Sequence, residues 1–106
     1  MMSTPQDVLL NEFGTYYLAD ELGYFVDDAL EEHADHSATR IVRFHSDLAA
    51  EVADLLQKMA ADPAHPLFET IGKETLYDWN GDQDSWAKFQ RLARRMSEGI
   101  AKGISG

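Results

Sequence analysis

The chain contains no cysteine. A disulfide framework and a thiolate metal site are therefore both excluded, which fits a cytoplasmic protein. Long apolar runs are also missing: none approaches the roughly 20 residues needed to cross a bilayer. The N-terminus lacks a basic region leading into an apolar one, so no signal peptide is expected. Glycines never gather into a phosphate-cradling loop, and no serine or threonine has a nucleophile-elbow setting. Basic residues are absent from the whole first third, the first being Arg40.

What stands in place of those bases is acid. Nine carboxylates precede Arg40: Asp7, Glu12, Asp20, Glu21, Asp27, Asp28, Glu31, Glu32 and Asp35. The remainder of the chain has ten acids against nine bases, so nearly all of the net charge of −10 originates before Arg40. Such a field repels nucleic acid and speeds encounter with basic surfaces. It also serves plain solubility.

At 106 residues the chain is long enough for a single core and is read as one helical domain, 1–106. The stretch Ser37–Asp62 organises it. Ile41, Phe44, Leu48, Val52, Leu55 and Met59 fall within about 80° of arc when residues are set 100° apart. Glu51, Asp54, Gln57 and Lys58 lie outside that arc, which predicts one long central amphipathic helix. Asp35 or Ser37 would cap it after a turn at His33–Ser37, and Pro63 would end it.

Thr4-Pro5-Gln6-Asp7 predicts a helix start, with a capping hydroxyl, proline at the first position and an acid in the first turn. Leu9, Leu10, Phe13, Tyr16 and Tyr17 share one face of that helix. Leu18, Leu22, Phe25, Val26, Ala29, Leu30 and His33 cluster on the opposite face. The jump in phase predicts a break, placed at Gly14 with Thr15 as a new cap, with Gly23 the alternative. A continuous helix would instead turn Tyr16 and Tyr17 outward as interface anchors.

Pro63-Ala64-His65-Pro66 reads as a stiff connector. Pro66 opens a short helix carrying Leu67, Phe68 and Ile71 and ended by Gly72, while Lys73–Trp79 fits a strand or a helical turn equally. Asn80-Gly81 signals a turn, and Asp82 or Asp84 caps a final helix striped by Trp86, Phe89, Ala93, Met96, Ile100 and Ile104. Lys88, Arg91, Arg94, Arg95 and Lys102 lie across from that stripe, and Gly99 and Gly103 predict a frayed end. The arginines are expected to pair with the acidic N-terminal segments inside the fold. The predicted fold is all-α, a four- to five-helix bundle around the central and C-terminal helices.

Candidate chemistry is sparse. His33 and His36 stand one turn apart and suggest a zinc shared with Asp35 or Glu32, the basis of a minor reading as a metal-binding helical enzyme. The glutamate three residues before a histidine, used by helical di-iron proteins, is missing at His33, His36 and His45. Asp78 to Asp84 alternates oxygen-bearing side chains as calcium loops do, but Gln83 and Phe89 occupy the places of the required glycine and glutamate. Turn and cap explain the same residues. No cofactor is expected, and the protein is read as not an enzyme.

The acidic, helical profile is similar in kind to bacteriocin immunity proteins, acidic four-helix bundles that neutralise a basic nuclease. Tyr16-Tyr17 resembles the paired tyrosines of their interface. Here Leu18-Ala19 follows the pair where that family has proline and glycine, and the pair lies near the N-terminus. The likeness extends to two residues and a composition and assigns no family.

The functional expectation is a non-catalytic acidic module of inhibitor, immunity or anti-defence type, bacterial or phage, that docks on a basic protein. That partner includes one whose basic groove normally holds nucleic acid, the module acting as a nucleic-acid mimic. Its binding residues would be Tyr16, Tyr17, Asp20, Glu21, Asp27, Asp28, Glu31 and Glu32. Direct nucleic-acid binding and membrane binding are not expected. The alternative is a helical structural or regulatory subunit that forms a homodimer through its second apolar face.

Overall fold

The computed structural model describes residues 4–17, 27–75 and 78–105. They form five helices: α1 Pro5–Tyr16, α2 Asp27–Phe44, α3 Ala49–Ala61, α4 Leu67–Thr75 and α5 Gln83–Ser105. The all-α bundle is as expected, and no strand occurs among the described residues. None of these helices is long and apolar enough to cross a membrane. Leu18, Leu22, Phe25, Val26 and Gly23, invoked for the phase jump, lie outside the described residues.

The N-terminal start forms as its chemistry dictates. Thr4 Oγ1 accepts from Asp7 N (3.2 Å) and the Asp7 carboxylate accepts from Thr4 N (3.0 Å), a reciprocal cap on two otherwise unpaired amides. The helix does not break at Gly14 but continues to Tyr16, and Thr15 caps nothing. A Cβ at Gly14 would stand 3.4 Å from Glu74 Oε2, so this glycine breaks no packing and marks no turn.

The stretch Ser37–Asp62 differs from the single helix expected. It holds the last turns of α2, a turn at residues 45–48, and all of α3. His45 N still donates to Ile41 O (2.8 Å) and Val52 N to Leu48 O (2.9 Å), so the chain keeps helical hydrogen bonding on either side of the reversal. Four connecting residues carry the phase of the apolar stripe across it, which is why periodicity reads straight through. The interruption leaves Phe44 exposed at 68 %, out of the core it was assigned to.

His33–Ser37, expected as a turn with Asp35 or Ser37 as cap, instead lies inside α2. Ser37 and Asp35 find distant partners. Tyr17 OH and Ser37 Oγ share a hydrogen bond of 2.7 Å, and Arg40 donates to the same serine (3.1 Å). Asp35 binds Arg95. These residues favour caps and turns when they compete for the local backbone; here tertiary partners occupy them and the helix runs on.

α2 and α5 are parallel, and α3 runs antiparallel to both. Glu31 meets Arg91, Asp35 meets Arg95, Ala38 faces Gly99 and Val42 faces Gly103, so each α5 residue meets the α2 residue about sixty positions earlier. Against α3 the order reverses: Gln57 donates to Ser97 (3.0 Å), while Gln90 donates to Ala60 O (3.0 Å). The glycines expected to fray α5 are places where backbones close up. A Cβ at either Gly99 or Gly103 would come within 2.8 Å of α2, and the helix holds through Ser105.

α1 packs on α3 and α4, and an aromatic cluster fills the centre. Phe89 is its hub, with ring centroids 4.8 Å from Phe68, 5.9 Å from Trp79 and 6.1 Å from Phe13. Of the C-terminal stripe, Phe89, Ala93, Met96 and Ile100 are buried, whereas Ile104 is 49 % exposed. α4 does not end at Gly72 but runs to Thr75, whose hydroxyl bonds Ile71 O (2.9 Å) and accepts from Trp79 Nε1 (3.3 Å). Asp82 caps α5, its Oδ1 accepting from Ser85 N at 2.8 Å. A Cβ at Gly81 would collide with the Asp78 carboxylate, which explains the glycine in that turn.

Candidate functional site

Among the described residues, Glu12, Glu31 and Asp35 of the early carboxylates are engaged by bases from elsewhere in the chain. Glu12 is almost fully buried, and Arg40 reaches it through both Nε (3.1 Å) and a terminal nitrogen (2.8 Å). The guanidinium also lies 3.7 Å from the centroid of the Tyr16 ring, a stacked cation–π contact. Glu31 binds Arg91 at 3.2 Å, and Asp35 takes a two-pronged contact from Arg95 at 2.7 and 3.0 Å. The expected pairing of the C-terminal arginines with the acidic segments is thus present along the α2–α5 seam. The Arg95 bond holds the Asp35 carboxyl below its ordinary pKa.

The proposed binding residues divide accordingly. Tyr17 has no exposed surface: its ring packs on Phe13 (5.1 Å) and its hydroxyl bonds Ser37. Burial pushes its phenol well above the ordinary range. It is a core residue, which corrects its placement on a binding face. Tyr16 is half-buried beneath Arg40. Asp27 and Asp28 occupy the first two positions of α2, Glu31 follows with its arginine, and Glu32 is exposed. Asp20 and Glu21 lie outside the described residues.

Of the described residues of the acidic run, Asp27, Asp28 and Glu32 sit in the first turns of α2, where negative charge complements the helix dipole. Sequence reasoning gave Arg40 no structural role and read Ser37 only as a candidate cap, whereas the two weld α1 to α2. Their signal is non-local, spanning 28 residues from Glu12 to Arg40 and 20 from Tyr17 to Ser37.

His33 and His36 are on α2, but the Asp35 between them is committed to Arg95, and His33 lies edge-on to Tyr17 with centroids 6.1 Å apart. Among the described residues no three His, Asp or Glu side chains come together to hold an ion. A groove of about 570 Å³ lies elsewhere: Pro63, His65, Pro66, Phe68, Glu69 and Asp78 are among its walls.

Comparison with protein-family models, with curated proteins and with solved structures returned no match.

Proposed function

We propose that the protein is a non-catalytic binding module whose acidic end, the start of α2, docks on a basic protein. The supporting observation is the run of nine carboxylates before the first base. Arg40, Arg91 and Arg95 engage three of them, Glu12, Glu31 and Asp35. Asp27, Asp28 and Glu32 then carry the docking charge, and charge of this kind sets encounter rate and register more than raw affinity. An inhibitor, immunity or anti-defence role suits such a module, including competition with nucleic acid for a basic groove.

The test is affinity capture from a lysate of the protein's own host, with wild type and the Asp27→Asn/Asp28→Asn/Glu32→Gln variant side by side. Glu12, Glu31 and Asp35, whose ion pairs tie α1, α2 and α5 together, are left intact. A basic protein held by the wild type and lost by the variant supports the reading. Equal retention by both refutes it.

A second reading, self-association, is favoured by Phe44 and Ile104. Both are exposed, at 68 % and 49 %, and the parallel α2 and α5 end at the same pole of the bundle. Light scattering at tens of micromolar decides it, a strict monomer counting against.

A further inference from the structure

The connector between α3 and α4 ends in a histidine used as a helix cap. Pro66 has no N–H, so Leu67 N is the first free amide of the turn that opens α4, and it donates to His65 Nδ1 at 3.1 Å. Phe68 N and Glu69 N are taken by the carbonyls of His65 and Pro66. An imidazole can accept at Nδ1 only while that nitrogen is unprotonated; the imidazolium is donor at both nitrogens. Histidine is the side chain whose charge changes in the physiological range. Its positive form would also face the positive end of α4.

We propose that His65 is a proton-operated latch on the connector 62–66 and on the groove it borders. With the imidazole neutral, the Leu67 amide is capped and the connector closed. Protonation removes the acceptor, frees that amide and loosens the wall formed by Pro63, His65 and Pro66. The connector is tied across the groove to the next turn by Asn80, whose side-chain amide donates to Pro63 O at 2.6 Å, so the loosening is transmitted there. Charged side chains of α4 and of the following turn line the same groove as His65. Asp62, on the connector, is occupied by Ala64 N (2.9 Å). Glu69 and Lys73 of α4 line the same groove and pair with each other at 3.5 Å, and Asp78 lines it from the following turn. The hydrogen bond, made in one protonation state only, is what links the proton to the conformation.

Nuclear magnetic resonance on the intact chain tests this, with His65→Asn as the second variant. Asparagine caps through its carbonyl oxygen without titrating. In the wild type at neutral pH the ring proton should reside on Nε2. Acidification should move the Leu67 amide and the Asn80 side-chain amide with the titration of the His65 ring, and raise opening at Leu67 about fivefold. In His65→Asn neither amide should move over that range. A neutral ring carrying its proton on Nδ1, or a Leu67 amide indifferent to the ring, overturns the latch. A still Asn80 amide overturns its coupling to the groove.

Discussion

Replacing Gly99 by alanine should destabilise the protein, although alanine is the better helix former by about 1 kcal/mol. The added Cβ would stand 2.8 Å from the Cβ of Ala38, about 1 Å inside ordinary carbon–carbon contact. Neither atom belongs to a flexible side-chain end. α2 is held in place above and below by Asp35–Arg95 and by the close approach of Val42 to Gly103. Overpacking of this kind costs about 1–3 kcal/mol, and with a contact this close the upper half of that range applies, so the net loss should be about 1–2 kcal/mol. Gly14→Ala is the matched control. Its Cβ would meet the mobile end of Glu74 at 3.4 Å, so the propensity gain of about 0.5–1 kcal/mol should survive. Urea unfolding followed by far-ultraviolet circular dichroism reads both signs, because a change of 1 kcal/mol moves the midpoint by roughly 0.5–1 M. Adding Ala38→Gly to Gly99→Ala should reveal a favourable coupling of about 1 kcal/mol or more. A Gly99→Ala protein at least as stable as the wild type, uncoupled from Ala38, would refute the close parallel packing of α2 and α5.

Other outcomes follow from the same packing. Arg40→Met should cost about 2 kcal/mol in urea unfolding: it strands the nearly buried Glu12 carboxylate, although Arg40 itself keeps about a quarter of its side chain in water. Phe89→Ala should cost about 3–5 kcal/mol, since Phe89 is the aromatic hub, whereas Phe44→Ser should stay within about 0.5 kcal/mol; equal costs would contradict the assigned burial. Arg95 lowers the Asp35 pKa, and the Ser85 amide lowers that of Asp82. Groups with depressed folded-state values bind fewer protons folded than unfolded. Their contribution is therefore complete above the ordinary carboxylate range and is lost as pH falls through and below about 4. Asp35→Asn should flatten that part of the stability–pH curve, and an unchanged curve would contradict the pairing.

Much of the fold is legible in the chain because it is locally encoded. The Thr4–Asp7 box and the Asp82 cap are each written within four residues, and the stripe Phe89, Ala93, Met96 and Ile100 has one unbroken period. What local pattern misses depends on distant groups. The reversal at 45–48 preserves helical phase, so Ile41 and Val52 read as one helix when they belong to two. His33–Ser37 looks like a turn until Tyr17, Arg40 and Arg95 arrive to occupy its side chains. Gly99 and Gly103 look like helix breakers until α2 lies against them. The acidic run was visible at once. The pairing of Glu31 with Arg91 and of Asp35 with Arg95 depends on a register of about sixty residues between α2 and α5 that no short window contains.

The most direct test of the docking account is the salt dependence of the captured complex, measured by titration calorimetry between about 50 and 300 mM salt. Wild type and the Asp27→Asn/Asp28→Asn/Glu32→Gln variant would be titrated in parallel. The account predicts that wild-type affinity falls steeply with salt, and that the variant binds more weakly at low salt with a flatter dependence. Identical affinities and slopes would contradict it and leave the charge at the start of α2 as a solvated helix end.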